Sequence, residues 1–267
     1  MSDEIPAPRP GPGPGRPLAI LALLLGVIGA AMVVLAGPGT KMGWWTFITG
    51  LRTLFKWGAY LGLAAIVLAI VAMLVARRRA GRGTLAMGIA AVLLGLVAFG
   101  IPWGFRHKAQ GVPPIHDITT NWVNPPELVQ SRALRDTSSE HLNTAAYEGD
   151  RIAAQQLKAY PDIQPVMLAM SPDQAYAAAL KTAQEMGWQD IDANRDARTV
   201  EAVAVTGWFG FKDDVAIRVT PASGISRVDI RSVSRVGRSD VGANAARIRK
   251  YVARLKADNK DRVAGAQ

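Results

Sequence analysis

The stretch TLAMGIAAVLLGLVAFGIPW, residues 84–103, decides how this chain is organised. It runs for 20 residues without a charged side chain, and a helix needs about 20 predominantly apolar residues to cross the core of a bilayer. Two more uncharged runs of the same length precede it, at 17–36 and 57–76. Because buried helices of soluble proteins are usually shorter, these runs predict a three-span membrane anchor over residues 17–104.

The first run has an alternative reading as a cleaved signal peptide, since small residues surround Ala36. Its apolar core is longer than the ~7 to 15 residues of a typical signal peptide. We therefore favour a membrane span. Residues 1–16, rich in proline and glycine, are expected to form a disordered tail.

Charge is divided unevenly between the two parts of the chain. Residues 1–104 carry nine basic and two acidic side chains, whereas residues 105–267 carry 22 and 19. A basic excess beside apolar spans sets topology and contacts anionic lipid. We therefore expect the lipid bilayer as a partner. Nucleic acid is not expected, because no basic patch is interleaved with stacking aromatic residues.

The orientation in the membrane follows from the loop between the second and third spans. Four arginines crowd into it: Arg77, Arg78, Arg79 and Arg82. Short loops rich in arginine stay in the cytoplasm, so the third span delivers the rest of the chain to the other side. The prediction is a multi-pass protein of the bacterial inner membrane with a periplasmic soluble domain. Five basic residues on the outer side oppose this bias: Lys41, Arg52, Lys56, Arg106 and Lys108.

The membrane part shows packing signals and no transport signals. Trp44, Ile48, Leu51 and Phe55 recur at helical spacing, which predicts a short interfacial helix within segment 40–56. Small residues four apart, as at Gly58 and Gly62, allow helices to approach closely. No ionisable side chain lies inside a span, so nothing indicates a proton relay or an ion pathway.

The soluble part begins with an extended, proline-rich lead-in over residues 105–131. An α+β domain is predicted over 132–258, followed by a disordered tail at 259–267. A first helix is expected at about 144–158. A second begins at Ser171 as N-cap, with Pro172 at the first helical position and Gln174 closing a capping box, and it ends before Gly187.

Three strands follow, at 199–206, 214–220 and 227–233, with one apolar and one charged face. A turn at 221–226 would set Arg218 opposite Asp229 and make the charged face a ladder of ion pairs. A final helix starts near Ser239 or Asp240. Its apolar stripe is Val241, Ala245, Ile248, Val252 and Leu255. The predicted architecture is therefore α+β, with helices preceding a three-stranded antiparallel meander that packs on a C-terminal helix.

Four strings in this part occur together in one order: PPIHDITT at 113–120, YPDI at 160–163, WFGFKDD at 208–214 and RSVSRVGRSD at 231–240. In these the chain resembles the domain of unknown function 1499 family, found in bacterial membrane-associated proteins and in photosynthetic lineages. The resemblance extends from about Pro113 to Leu255 and leaves out the spans. It implies no activity and no catalytic residue, because none is established for the family.

The candidate anion-binding site lies where a strand leads into the last helix, at Arg231, Arg235, Arg238 and Ser239. Guanidinium groups and helix N-terminal N–H groups suit a phosphate or carboxylate. In the alternative, Ser239 and Asp240 cap the helix, and Arg231 and Arg235 pair with Asp213 and Asp214.

A candidate apolar contact is formed by Trp208, Phe209 and Phe211, which lie between glycines. These rings would either dock on a membrane or close the open end of the core. His116 and Asp117 suggest a general base, but adjacent residues of an extended chain point to opposite faces. No metal site, glycine-rich phosphate loop or nucleophile elbow is apparent, and no cofactor is expected.

Together these patterns predict a membrane-anchored, non-enzymatic binding or assembly module. Its candidate ligands are an anionic lipid, an envelope polymer or a partner protein. The alternative is an enzyme of envelope or lipid chemistry that uses His116, Asp117 and the cluster from Arg231 to Arg238. Convergence of His116, Asp213 and Arg235 in one pocket would favour the enzyme, and their separation would favour the module.

Overall fold

The computed structural model describes residues 15–76, 82–137 and 142–264. The chain divides into two compact units, Met1–His107 and Lys108–Gln267. The predicted disordered tail at 1–16 falls almost entirely outside the described residues, as does most of the arginine-rich loop. The two units are taken in turn.

The first unit contains three helices that are long and apolar enough to cross a membrane. They are α1 (Arg16–Lys41), α2 (Phe55–Ala76) and α3 (Arg82–Gln110). A π-helical segment, Thr49–Leu54, runs directly into α2. Part of segment 40–56, where a short interfacial helix is predicted, is therefore helical and continuous with α2. The Trp45 indole N–H donates to the carbonyl of Ala36 at 3.0 Å, which holds the short connection against the end of α1.

Small residues form the contacts between these helices. In α2 the buried positions after Phe55 are Gly58, Gly62, Ala65, Ala69, Ala72 and Ala76, a spacing of alternating fours and threes. A β-carbon built on Gly62 would lie 2.8 Å from the carbonyl oxygen of Gly95 in α3. The large apolar side chains point outward, as at Leu74, which is 54% exposed. This arrangement suits lipid, where close backbone approach and not burial of leucine favours association.

Replacing Gly62 by valine is predicted to disrupt the bundle, because its β-carbon would also lie 2.7 Å from that of Ala98. Overpacking of this kind costs about 1 to 3 kcal/mol. We expect the full-length protein in mild detergent to lose its monodisperse form at a lower temperature. The matched control is Gly100→Val, since no heavy atom lies within 4 Å of a β-carbon there. If both variants lost their monodisperse form at the same temperature, this packing would be contradicted.

The second unit is built on a six-stranded sheet in the order β1-β6-β5-β4-β3, with β2 also pairing with β6. The strands are β1 (Asp117–Thr119), β2 (Val166–Leu168), β3 (Gln189–Asn194), β4 (Thr199–Val205), β5 (Lys212–Ala222) and β6 (Ile225–Ser234). All pairings are antiparallel. The predicted meander is β4-β5-β6, so the α+β architecture is confirmed, and three strands absent from the prediction extend it.

The turn between β5 and β6 sets the register of the meander. Ala222 pairs with Ile225, leaving Ser223 and Gly224 as the turn, at φ 44° and 84°. Positive φ at both positions is the type I′ geometry that matches the twist of a hairpin. Arg218 therefore lies opposite Asp229, as predicted.

Four helices accompany the sheet: α4 (Val129–Thr137), α5 (Asp150–Ala159), α6 (Pro172–Glu185) and α7 (Ala243–Asp258). The capping box at Ser171 and Gln174 is present, and Gly187 follows the helix at φ 70°, so both ends of α6 are confirmed. On one face of the sheet, α6 and α7 bury Tyr176, Ile248 and Leu255 against β5 and β6.

Several predicted boundaries are wrong, for identifiable reasons. α3 continues to Gln110, and α4 begins at Val129 inside the predicted extended lead-in. α5 begins at Asp150 and not near Thr144, since the carbonyls of 143–145 accept hydrogen bonds from arginine side chains. α7 begins after Gly242, whose φ of 80° interrupts the helix that was expected from Ser239 or Asp240.

The C-terminal segment is ordered further than the sequence predicts. A 3₁₀ turn spans Lys260–Arg262, and Val263 forms an antiparallel bridge with Leu168. These backbone contacts place residues 259–264 of the predicted tail on the domain. Residues 265–267 lie outside the part of the chain that the structure describes.

Candidate functional site

Charged side chains on the face of the sheet opposite α6 and α7 are buried, not exposed. Arg231 on β6 is 2% exposed and Asp214 on β5 is fully buried. Leu128 and Ala145, from between β1 and α5, pack on Ala216 and Val233 of this face. Of the ladder of ion pairs expected here, Arg218 and Asp229 meet at 3.6 Å. Asp214 and Arg231 are buried with other partners, which charges removed from water require.

Arg231 is held in a fully bonded pocket. Its Nε and Nη2 donate to the two carboxylate oxygens of Asp117 on β1, at 2.9 and 2.6 Å. Nη2 also donates to the carbonyl of Ala145 at 2.9 Å, and Nη1 donates to the carbonyl of Pro126 at 3.3 Å. Burial raises the pKa of Asp117, and the bond from Arg231 opposes that rise.

Tyr147 closes the pocket from the side, with its ring centroid 5.4 Å from the Arg231 guanidinium. Burial, with the nearby Asp117 carboxylate, raises the pKa of Tyr147 to about 12. The phenol is therefore neutral at physiological pH, and the ring offers its face to the cation. This is a structural pocket for one guanidinium.

Asp214 receives two arginines from different parts of the chain. Arg235, just past β6, donates to its Oδ1 from Nε at 3.0 Å and from Nη2 at 2.7 Å. Arg135 on α4 donates to its Oδ2 from Nε at 3.0 Å. Arg135 also donates from Nη1 to the carbonyls of Asn143 and Thr144, at 2.7 and 3.0 Å. One carboxylate thus fastens α4, the segment after it and the end of β6 to the sheet.

A second polar group joins β6 to α7 on the other face. Asn244 accepts from Ser232 Oγ at 2.8 Å and donates to the carbonyl of His116 at 2.9 Å. Arg247 on α7 forms an ion pair with Asp213. Because Asp213 and Asp214 are neighbours on a strand, their carboxylates point to opposite faces and serve different networks.

The N-terminus of α7 is capped by a carboxylate of the same chain. Asp240 accepts from the backbone N–H groups of Gly242 and Asn244, at 2.7 and 2.8 Å. Ser239 Oγ accepts from the N–H of Val241 at 3.2 Å. Burial raises the pKa of Asp240, and the two N–H donors oppose the rise. Asp240 thus places a carboxylate of the chain itself at the helix start, where the sequence suggested a bound phosphate or carboxylate.

The four candidate anion-binding residues therefore lie in different surroundings. Arg231 is buried with Asp117, Arg235 is bonded to Asp214, and Ser239 accepts from the N–H of Val241 in the turn before α7. Arg238 is exposed. The structure joins Arg235 to Asp214 as the alternative interpretation had it. It assigns Arg231 to Asp117 and Asp213 to Arg247, which that interpretation had not foreseen.

The residues of the alternative enzyme have separate side-chain partners. His116 Nε2 lies 3.6 Å from Glu148 Oε1, whereas its neighbour Asp117 is bonded to Arg231. Asp213 faces α7, and Arg235 lies on the opposite face with Asp214. Within the described ranges, no group of three or more His, Asp or Glu side chains is placed to hold a metal ion.

The aromatic turn, residues 206–211, connects β4 to β5. Phe209 is 6% exposed and stacks on Phe211 with ring centroids 5.3 Å apart. Trp208 packs edge-on against Phe209 at 5.2 Å and remains 37% exposed. The turn is fixed by Thr206, whose Oγ1 accepts from the N–H of Phe211 at 2.8 Å. One ring is buried, and another presents part of its surface outward.

A cleft of about 500 Å³ opens between α4 and the β3–β4 edge of the sheet. Glu201, in its wall, accepts from the N–H groups of Val129, Gln130 and Ser131 and so caps α4 from another strand. Arg235 also lines the cleft, while its guanidinium is bonded to Asp214. Two of its polar wall groups, Glu201 and Arg235, therefore serve the scaffold, and Asp190 and Asp192 also line it.

Sequence reasoning missed Arg135, Glu201, Asn244 and Arg247. A signal existed for Glu201, because it is a single acidic residue in the apolar strand TVEAVAV. The role of Arg135 has no local signal, since its partner Asp214 lies far away in the sequence.

Comparison with known families gives one match. The model of the family described as a protein of unknown function, DUF1499, matches residues 117–255. The match begins at Asp117 and ends at Leu255, so it contains both buried arginine pairs and most of α7. The match covers more than half of the chain. The chain therefore belongs to this family. No curated protein matches the sequence.

Breaking the Arg231 pair is predicted to be strongly destabilising. Arg231→Met leaves Asp117 charged and buried, which typically costs about 3 to 5 kcal/mol. Adding Asp117→Leu should recover part of that loss, and only part, because the carbonyls of Pro126 and Ala145 still lack a donor. Pulse proteolysis of the full-length protein in urea measures both changes.

The control for this experiment is the bidentate pair between Arg249 and Asp162, whose side chains are 46% and 53% exposed. An exposed pair contributes about 0 to 1 kcal/mol, so Arg249→Met should shift the urea midpoint little. If Arg231→Met and Arg249→Met unfolded at the same urea concentration, the buried pocket would not be a structural requirement.

Proposed function

We propose that this member of the DUF1499 family is a membrane-anchored, non-enzymatic binding module whose soluble domain lies outside the cytoplasm and contacts anionic lipid. The observation that supports it is that each residue suggested for catalysis already pairs with another side chain of the domain. His116, Asp213 and Arg235 have separate partners in Glu148, Arg247 and Asp214. Such pairs fix a rigid scaffold and leave recognition to the surface.

An enzyme is less well supported by the same geometry. A general base needs a path to substrate within hydrogen-bond reach, and Asp117 spends both of its oxygens on Arg231. In the cleft beside α4, Glu201 caps the helix and Arg235 is bonded to Asp214. Binding requires no convergent reactive group, and the domain is attached to three candidate spans.

The bacterial inner membrane and the outward orientation of the domain are proposed from the arginines at 77–79 and 82. A reporter that is active only outside the cytoplasm, fused after Gln267, is expected to be active. Replacing the four arginines by glutamine should reduce or reverse that activity, because the positive charge that retains the loop is lost. A fusion that is active only in the cytoplasm would overturn the orientation.

Contact with anionic lipid is tested on the full-length protein in nanodiscs. Backbone amide exchange over residues 111–264 should be slower in discs containing phosphatidylglycerol than in phosphatidylcholine discs, because a bound surface opens less often. Raising the salt concentration should remove the difference, since exposed charges are screened. Identical exchange in the two kinds of disc at low salt would reject lipid binding as the function.

A further inference from the structure

One end of the sheet collects features that suit a lipid surface. We call it the lead-in end, because segment 111–116 joins the sheet there at β1. Asp117 pairs with Val233 near the end of β6, and Asp213 at the start of β5 pairs with Ser234. The aromatic turn therefore lies at the lead-in end, together with segment 235–242. The turns at 195–198 and 223–224 lie at the opposite end.

We propose that the lead-in end is the surface with which the soluble domain rests on the anionic headgroups of its own membrane. This deepens the proposed function and rests on it. Three outward-facing side chains support the choice: Trp208, 37% exposed, and the exposed Lys212 and Arg238. An amphipathic ring positions itself at headgroup level, and lysine and arginine are attracted to anionic lipid.

The tether limits how far this end lies from the bilayer. Ile115 is the first residue of the soluble core, with no exposed surface. α3 continues to Gln110, so only residues 111–114 separate the helix from Ile115. The five residue steps from Gln110 to Ile115 span at most about 18 Å when extended. The opposite end of the sheet is joined to the spans only through the folded domain.

The backbone of the aromatic turn is fixed before any contact with lipid. The N–H of Thr206 donates to the carbonyl of Phe211 at 2.9 Å, and the N–H of Gly210 donates to that of Thr206 at 3.1 Å. With Phe209 buried beneath it, Trp208 is presented by a preformed turn, so little ordering entropy opposes docking. Lys212 follows the turn directly, as the first residue of β5.

Charge at this end is not uniformly basic. Asp190 is exposed near the start of β3, which also lies at the lead-in end because Gln189 pairs with Val203. It opposes attraction to anionic lipid. Asp190→Asn is therefore expected to strengthen the contact, whereas Lys212→Gln and Arg238→Gln weaken it, each by about fivefold in partitioning for a residue near the surface.

Because the chain contains no cysteine, single-cysteine variants can report the contact without background labelling. Gly207→Cys places a fluorophore in the aromatic turn, where a β-carbon meets no heavy atom within 4 Å. Ala197→Cys is exposed in the turn at the opposite end. In nanodiscs with anionic, bromine-labelled lipids, the label at 207 should be quenched and the label at 197 should not.

Two further comparisons make the outcome specific. Lys212→Gln with Arg238→Gln should reduce quenching at 207, whereas Lys250→Gln with Lys256→Gln, two exposed lysines of α7, should leave it unchanged. If Gly207→Cys fails to fold, a label at Gln189→Cys, which is exposed at the start of β3 on the same end, replaces it. Quenching at 197 and not at 207 would place another end on the membrane. An unquenched label at 207, with amide exchange still sensitive to anionic lipid, would overturn this surface and leave the proposed function standing.

Discussion

The soluble domain depends on the requirement that a charge removed from water be neutralised and fully hydrogen-bonded. Asp214 has no exposed surface and is met by Arg135 and Arg235. Arg135 also donates to the carbonyls of Asn143 and Thr144, so the side chain that neutralises Asp214 also holds the backbone at 143–144. The apolar contribution on this face is the small cluster around Leu128 and Val233.

The membrane unit obeys a different constraint. Its spans carry no charged side chain in their apolar runs. The specificity of helix packing therefore comes from the positions of small residues. Ala22, Ala69 and Ala91, one from each helix, meet in a single cluster, and a β-carbon on Gly29 would lie 2.9 Å from the carbonyl of Gly58. Lipid tails solvate leucine as well as another helix does, so close contact between small residues and backbone favours packing.

The buried charge pairs of the soluble domain also bear on how its sequence pattern is interpreted. The strings that make this chain recognisable, such as RSVSRVGRSD, contain the residues that bind β6 to its neighbours and to α7. Arg231, Ser232 and Arg235 hold Asp117, Asn244 and Asp214. A pattern dense in arginine, serine and aspartate therefore describes a structural network, although Arg238 within it is exposed.

The sequence by itself determined whatever has a local physical cause. Charge-free runs of 20 residues predicted the spans, the Ser171 capping box fixed α6, and period-two alternation with a short turn set Arg218 opposite Asp229. Only the tertiary structure decided which charge meets which. Asp117 and Arg231 are 114 residues apart, and no local pattern marks a pairing that arises when β1 lies beside β6. Tertiary contacts also kept residues 144 and 145 out of the helix predicted from about Thr144, because their carbonyls accept hydrogen bonds from Arg135 and Arg231.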